Sequence, residues 1–216
     1  MHCAIGSHLN GETMSTARIP QVFAFLFCSV DGLVEDAHRG LGWSTGEPEV
    51  FTWHRRRARQ TPHVGSMLLG RNTYDHFAEY WPSAEAFRTQ PEIAAFMETT
   101  PKTVVTNRPA SLPSWQGARA AEGSDLSALV AQLRTEQEGD DGGDIAVFGS
   151  STLAAQLLKR GLLDELRILI SPVALGRGTP LFQGLESHVH LRAGPTTTFP
   201  SGAVLVTYAP DNAGAA

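Results

Sequence analysis

Apolar residues along this chain gather in short runs, and each run stops at a glycine or a polar turn. Val22–Val30 is almost continuously apolar, and Ser66–Gly70, Lys102–Thr106 and Ile145–Phe148 repeat the pattern. Runs of this length without polar alternation predict strands covered on both faces. Between them the period lengthens to that of helices. Glu49–Gln60 starts just after Pro48 and would turn Val50, Phe51 and Trp53 inward. Asn72–Tyr80 carries Tyr74, Phe77 and Ala78 on one side, and Pro91–Thr99 carries Ile93, Phe96 and Met97. Ser124 is an N-cap type ahead of a helix bearing Leu126, Leu129, Val130 and Leu133. Leu166–Ile170 is a further strand that ends near Pro172. Val189–Leu191 and Ala203–Tyr208 read as final, antiparallel strands. Strands alternating with helices predict an α/β domain with a largely parallel sheet.

The stretch Asp144–Gly161 concentrates these signals. Gly149 permits a tight turn after the strand. Ser150, Ser151 and Thr152 are capping types, and Leu153, Leu157 and Leu158 recur at helical spacing before Gly161. A strand, a glycine turn and a helix N-terminus offer free N–H groups and a dipole that suit a phosphate. The stretch is neither G-x-G-x-x-G nor a Walker sequence, so taken alone it reads as an ordinary βα turn. Ligands on open α/β sheets bind outside the carboxyl ends of the strands. Four predicted strand ends carry polar or glycine-rich turns, at residues 29–32, 70–73, 106–108 and 149–152. Together they predict one binding rim.

Composition narrows the class. A chain of 216 residues is expected to form one domain, here 19–209, between a flexible extension at 1–18 and a small-residue tail at 210–216. Met1 and Met14 are both candidate starts. Apolar content of 42% against 18% charged supports a sizeable core. A net charge of −5 argues against nucleic acid or an anionic membrane as partner. No apolar stretch reaches the length of a membrane span. The two cysteines, with Cys28 inside an apolar run, fit a reducing compartment, so a cytoplasmic location is expected. The eight histidines show no metal-ligand spacing, and no metal is expected. The basic run His54–Arg59 reads as a solvated helix face.

Five blocks in order carry a family resemblance: Ser29-Val-Asp-Gly32, Leu69-Gly-Arg-Asn-Thr-Tyr74, Val104-Val-Thr-Asn-Arg108, Val147-Phe-Gly-Ser150 and Leu162–Phe182. Through them the chain resembles the dihydrofolate reductase-like superfamily, and within it the C-terminal reductase domains of bifunctional riboflavin biosynthesis proteins. The resemblance spans roughly Val22 to Tyr208. It implies a mixed, mostly parallel central sheet flanked by helices, with antiparallel C-terminal strands. It also implies NADPH as cofactor, a small-molecule substrate and a homodimer. The segment Tyr74–Pro82 departs from the acidic Asp-Pro segment usual in riboflavin reductases, which points to a stand-alone member of the branch.

The resemblance also assigns residues. Gly70, Arg71 and Thr73 match a block that contacts cofactor phosphates. Thr106, Asn107 and Arg108 match the grip on the 2′-phosphate, where a planar guanidinium favours NADPH over NADH. Gly149, Ser150, Ser151 and Thr152 match the loop under the pyrophosphate. Asp31 and Glu49 are the candidate catalytic carboxylates, and Trp43 and Trp53 the candidate substrate contacts. Asp31 also reads as a plain Asp-Gly turn, and Glu49 as a helix-start glutamate. Three functions stay open: an NADPH-dependent reductase of a heterocycle or related C=N or C=O group, the reductase of 5-amino-6-(5-phosphoribosylamino)uracil, and a nucleotide-binding module without catalysis.

Overall fold

In the computed structural model, which describes residues 18–44, 64–139 and 142–211, ten strands and five α-helices are laid out among those residues. In chain order they are β1 (Val22–Ser29), β2 (Leu33–Asp36), β3 (Val64–Gly70), α1 (Arg71–Tyr80), α2 (Ala84–Thr89), α3 (Pro91–Thr99) and β4 (Lys102–Val105). Next come β5 (Ala118–Ala121), α4 (Leu126–Glu136), β6 (Asp144–Phe148), α5 (Ser151–Lys159), β7 (Glu165–Ser171), β8 (Gly178–Pro180), β9 (Leu191–Thr198) and β10 (Val204–Pro210). A 3-10 turn at Pro109–Ser111 follows β4.

Eight strands form one sheet in the order β5-β4-β3-β6-β1-β7-β10-β9. The first six in that order pair in parallel, whereas β10 runs antiparallel to both β7 and β9. This is the mixed, mostly parallel sheet with antiparallel C-terminal strands. β2 and β8 pair as a separate two-stranded arm.

β1 sits at the centre because its sequence suits no other place. It is apolar on both faces, and its neighbours β6 and β7 cover both edges. Val22, Ala24, Leu26 and Cys28 point to one face, where Leu126, Val130 and Leu133 of α4 and Leu153, Leu157 and Leu158 of α5 close over them. Phe23 and Phe25 point to the other face, among Met67, Leu69, Tyr74 of α1, Met97 of α3 and Phe148. The period of two in the strands thus divides one apolar run between two cores.

Several elements differ from the sequence expectation, each for a physical reason. β3 starts at Val64, two residues early. β5 (Ala-Arg-Ala-Ala) holds no β-branched or aromatic residue, and forms as an edge strand by pairing with β4. α2 is only six residues long, and the Ser83 hydroxyl, accepting from the Ala86 N–H at 3.1 Å, caps it. β8 (Gly-Thr-Pro) carries no apolar run to mark it and exists through pairing with β2. β9 runs Leu191–Thr198, so the strand expected at Val189–Leu191 overlaps it only at Leu191; it passes through Gly194 and Pro195, which only an edge strand tolerates. β10 runs on through Pro210. The expected helix Glu49–Gln60, the basic run within it, residues 1–17 and residues 212–216 lie outside the described residues.

Candidate functional site

The carboxyl ends of β4, β3, β6, β1 and β7 stand in that order along one rim of the sheet. All five strands are parallel, so the turns at residues 106–108, 70–73, 149–152 and 29–32 emerge on the same side. The rim expected from the turn chemistry is a contiguous feature of the fold.

At its centre the β3 and β6 turns are joined. The Ser150 hydroxyl accepts from the Gly70 N–H at 2.8 Å and donates to Thr73 Oγ1 at 2.9 Å. Thr73 Oγ1 also accepts from the Ser150 N–H at 3.1 Å. Gly149 makes this closeness possible. It holds φ +72°, and a Cβ added there would stand 3.0 Å from Thr73 Cγ2. Two helices begin here, α1 after Gly70 and α5 after Ser150. Neither N-cap makes a side-chain capping bond, and neither first turn holds an acidic residue. Their first-turn amides, including those of Ser151 and Thr152, have no intrahelical acceptor.

Next to this junction a cavity of about 360 Å³ is lined by Arg71, Asn72, Thr106, Asn107, Arg108 and Gln156, together with Val105 and Gly123. The Thr106–Ser111 segment is held from within. Thr106 Oγ1 accepts from the Arg108 N–H at 3.1 Å, and Arg108 O accepts from the Ser111 hydroxyl at 3.1 Å. Arg71 Nη1 donates to Arg108 O at 3.3 Å and to Ser111 Oγ at 3.0 Å, while Nη2 donates to Ser111 O at 2.7 Å. Arg71 Nε donates to both oxygens of Asp75, at 2.8 and 2.9 Å. The Arg71 guanidinium is therefore engaged on both sides. The Arg108 guanidinium is exposed, and among the described residues it has no hydrogen-bond or ion-pair partner.

Asp31 lies further along the rim, outside that cavity. One carboxylate oxygen accepts from Ser29 Oγ at 2.7 Å and the Leu175 N–H at 3.0 Å, and the other from the Gly176 N–H at 2.7 Å. These bonds, that of Ser29 first, lower its pKa to about 2. Asp31 is thus an ionised clasp between the β1 turn and the loop after β7. The Val30 N–H donating to Val173 O and the β2–β8 pairing reinforce the same join. Trp43 is half-buried beyond β2, its indole N–H donating to Gly40 O at 2.9 Å. Glu49 and Trp53 lie outside the described residues.

The structure thus brings together Gly70, Arg71, Thr73, Thr106, Asn107, Arg108, Gly149, Ser150, Ser151 and Thr152, and leaves Asp31 and Trp43 apart from the cavity. Sequence reasoning missed Asp75 and Ser111. The four-residue spacing of Arg71 and Asp75 was a readable helix pair. Nothing local marks Ser111, which meets Arg71 only through the fold. No group of three or more histidine, cysteine, aspartate or glutamate residues among the described residues could hold a metal ion. No helix among them is long and apolar enough to cross a membrane.

Comparison with known proteins agrees with this architecture. The chain is 25% identical over 184 residues to the uncharacterized protein YyaP of Bacillus subtilis, covering 85% of this chain and 91% of that protein. It superposes on Acinetobacter baumannii RibD with a TM-score of 0.63 at 17% identity, covering 89% of this chain and 58% of that one. It superposes on dihydrofolate reductase from Enterococcus faecalis, solved with NADP(H), with a TM-score of 0.58 at 15% identity, covering 91% and 99%. At these identities the two structures speak for the fold, which is dihydrofolate reductase-like. The family model of the RibD C-terminal domain matches residues 20–205, and the chain belongs to that family.

Proposed function

We propose that this protein is an NADPH-dependent reductase that delivers hydride to a small heterocycle or a related C=N or C=O substrate. One observation carries the reading. Arg108, without a partner among the described residues and on a fixed backbone, lines one cavity with the N-terminus of α1, which hydrogen bonds join to the N-terminus of α5; neither helix start has a side-chain cap or a first-turn acid. That donor set fits an anion of several phosphoryl groups. In this reading Arg108, with Thr106 and Asn107, takes the 2′-phosphate. The first-turn amides after Gly70 and Ser150 take the pyrophosphate. Thr73 Oγ1 accepts twice from Ser150, so its own proton is available to a phosphate oxygen. The dinucleotide would supply the hydride, so no protein nucleophile is required. Asp31, its pKa lowered to about 2 and its oxygens occupied as acceptors, is a poor proton donor. It holds the loop after β7 in place. Glu49 is the remaining candidate acid, and Trp43 and Trp53 are the candidate substrate contacts. The cytoplasmic location and the homodimer belong to the same proposal.

Thermal unfolding with NADPH, with NADH and without ligand tests the cofactor. A ligand at a hundred times its Kd adds about 2.7 kcal/mol of stability. A selective rise with NADPH is expected, and no rise with either dinucleotide overturns the reading. Loss of reduced-nicotinamide absorbance is then followed over pterins, quinones and 5-amino-6-(5-phosphoribosylamino)uracil. Binding without turnover of any of them would favour a nucleotide-binding module.

A further inference from the structure

We propose that Arg71 is a positioning residue rather than a phosphate ligand: through Ser111 it fixes the backbone of Arg108 and so sets the preference for NADPH over NADH. This rests on the cofactor reading above and names the device within it.

The first argument is donor occupancy. A guanidinium has five N–H groups. In Arg71 one faces both oxygens of Asp75, and three reach Arg108 O, Ser111 Oγ and Ser111 O. One is left. Asp75 also neutralises its charge at 2.8 Å. A phosphate arriving at Arg71 would meet a paired cation and have to break contacts that hold the loop.

The second argument is where those bonds end. Arg108 N–H is tied to Thr106 Oγ1 and Arg108 O to both Arg71 and the Ser111 hydroxyl. Both ends of one residue's backbone are fixed, and its side chain is left to meet a ligand. Tyr74, one turn after Arg71 on α1, donates its hydroxyl to Pro113 O at 2.6 Å and holds the same segment further along. Helix α1 therefore carries the segment after β4 at two points. A charged side chain held in advance loses less freedom on binding, which strengthens whatever it recognises.

The third argument concerns charge. With Arg71 paired, Arg108 is the one cation lining the cavity that has no partner among the described residues. Discrimination between a 2′-phosphate and a 2′-hydroxyl then falls to its placement.

The test uses Ser111→Ala, which removes the linking hydroxyl. The partner variant Arg71→Lys keeps a positive charge but cannot span Asp75 and Ser111 with a planar fork. Calorimetric titrations with NADPH, NADH, adenosine 2′,5′-bisphosphate and ADP are compared, with the melting temperature as a check on folding. Ser111→Ala is expected to weaken NADPH and the bisphosphate by about tenfold, with NADH and ADP within about twofold. Arg71→Lys should lose the same preference, and the double variant should be no worse than Arg71→Lys alone. Selective binding by the wild type that survives in Ser111→Ala overturns this inference while leaving the cofactor reading intact. Arg71→Lys retaining full preference while Ser111→Ala has none of the expected effect assigns Arg71 to direct charge contact instead. A wild-type protein that binds neither dinucleotide overturns both.

Discussion

Replacing Gly149 with alanine probes the junction beneath the proposed pyrophosphate site, and a second glycine provides its control. Gly149 and Gly161 hold φ of +72° and +66°. An L-residue in this region costs about 1–2 kcal/mol whatever surrounds it. A Cβ on Gly161 would meet nothing within 4 Å, so Gly161→Ala measures that backbone cost alone. A Cβ on Gly149 would lie 3.0 Å from Thr73 Cγ2, and α1 and α5 leave little room to move apart. Relieving that contact should add about 1 kcal/mol or more. In a chain of this size each kcal/mol lowers Tm by about 2–4 °C. Gly161→Ala should therefore melt about 2–8 °C below wild type, and Gly149→Ala a few degrees, about 2–4 °C, lower again. Thr73→Ser removes Cγ2 and keeps the oxygen that accepts from Ser150. In that background Gly149→Ala should cost no more than Gly161→Ala. Urea melts of the five proteins give the cycle, and NADPH titrations should show weakened binding for Gly149→Ala with Gly161→Ala unaffected. Equal costs for the two glycines, or an extra cost that persists with Thr73→Ser, would refute the claim that closeness to Thr73 demands glycine here.

Arg108→Ala should weaken NADPH by about tenfold or more and NADH little, because it removes a charge-assisted contact to one phosphate; equal losses in titration would remove Arg108 from that role. Lys102 is buried at the opposite end of β4, its ammonium donating to the carbonyls of Glu98, Thr100 and Gln116 and lying 4.2 Å from the Trp115 ring. Burial lowers its pKa to about 8 from 10.5, against the opposing charge of Glu98. Between those values the unfolded chain binds more protons, so this group's contribution to stability rises with pH across that window. Lys102→Met should cost about 2 kcal/mol or more at pH 7 by orphaning carbonyls, and the deficit should widen at pH 10; an unchanged deficit in urea melts counts against the buried ammonium. The Asp31 carboxyl is lowered from 3.8 to about 2, so its contribution is present above the higher value and lost as pH falls through the lower one. Hydrogen exchange at Leu175 and Gly176 should accelerate over that interval in the wild type. Asp31→Asn should already be fast at neutral pH, and slow exchange in that variant would mean the clasp does not hold the loop.

The elements that bury an apolar run were legible residue by residue. β1, β4, β6 and α5 form where their apolar periods put them, because burial of a continuous apolar run has few outcomes, and α5 starts after Ser150 although that residue makes no capping bond. The ten residues expected at the cofactor rim also stand together, since parallel strands must deliver their carboxyl ends to one side. What escaped were elements made by partners. β5 is built of helix-favouring Ala and Arg and β8 of Gly, Thr and Pro, and a neighbouring strand decides both. Ser111 carries no local mark, being 40 residues from Arg71 in the chain.

The sequence by itself determined that polar and glycine-rich strand ends would line one edge of a mostly parallel sheet, because turn residues and apolar periods are local properties. Only the tertiary structure decided which charges are left to bind. Arg71 and Arg108 are the same residue type at similar turns, yet one is paired with Asp75 and Ser111 and the other is unpaired among the described residues. Asp31, likewise, becomes a clasp because two amides from a loop 144 residues away converge on it. Hydrogen-bond partners distant in the chain are chosen by packing, and no local pattern encodes them.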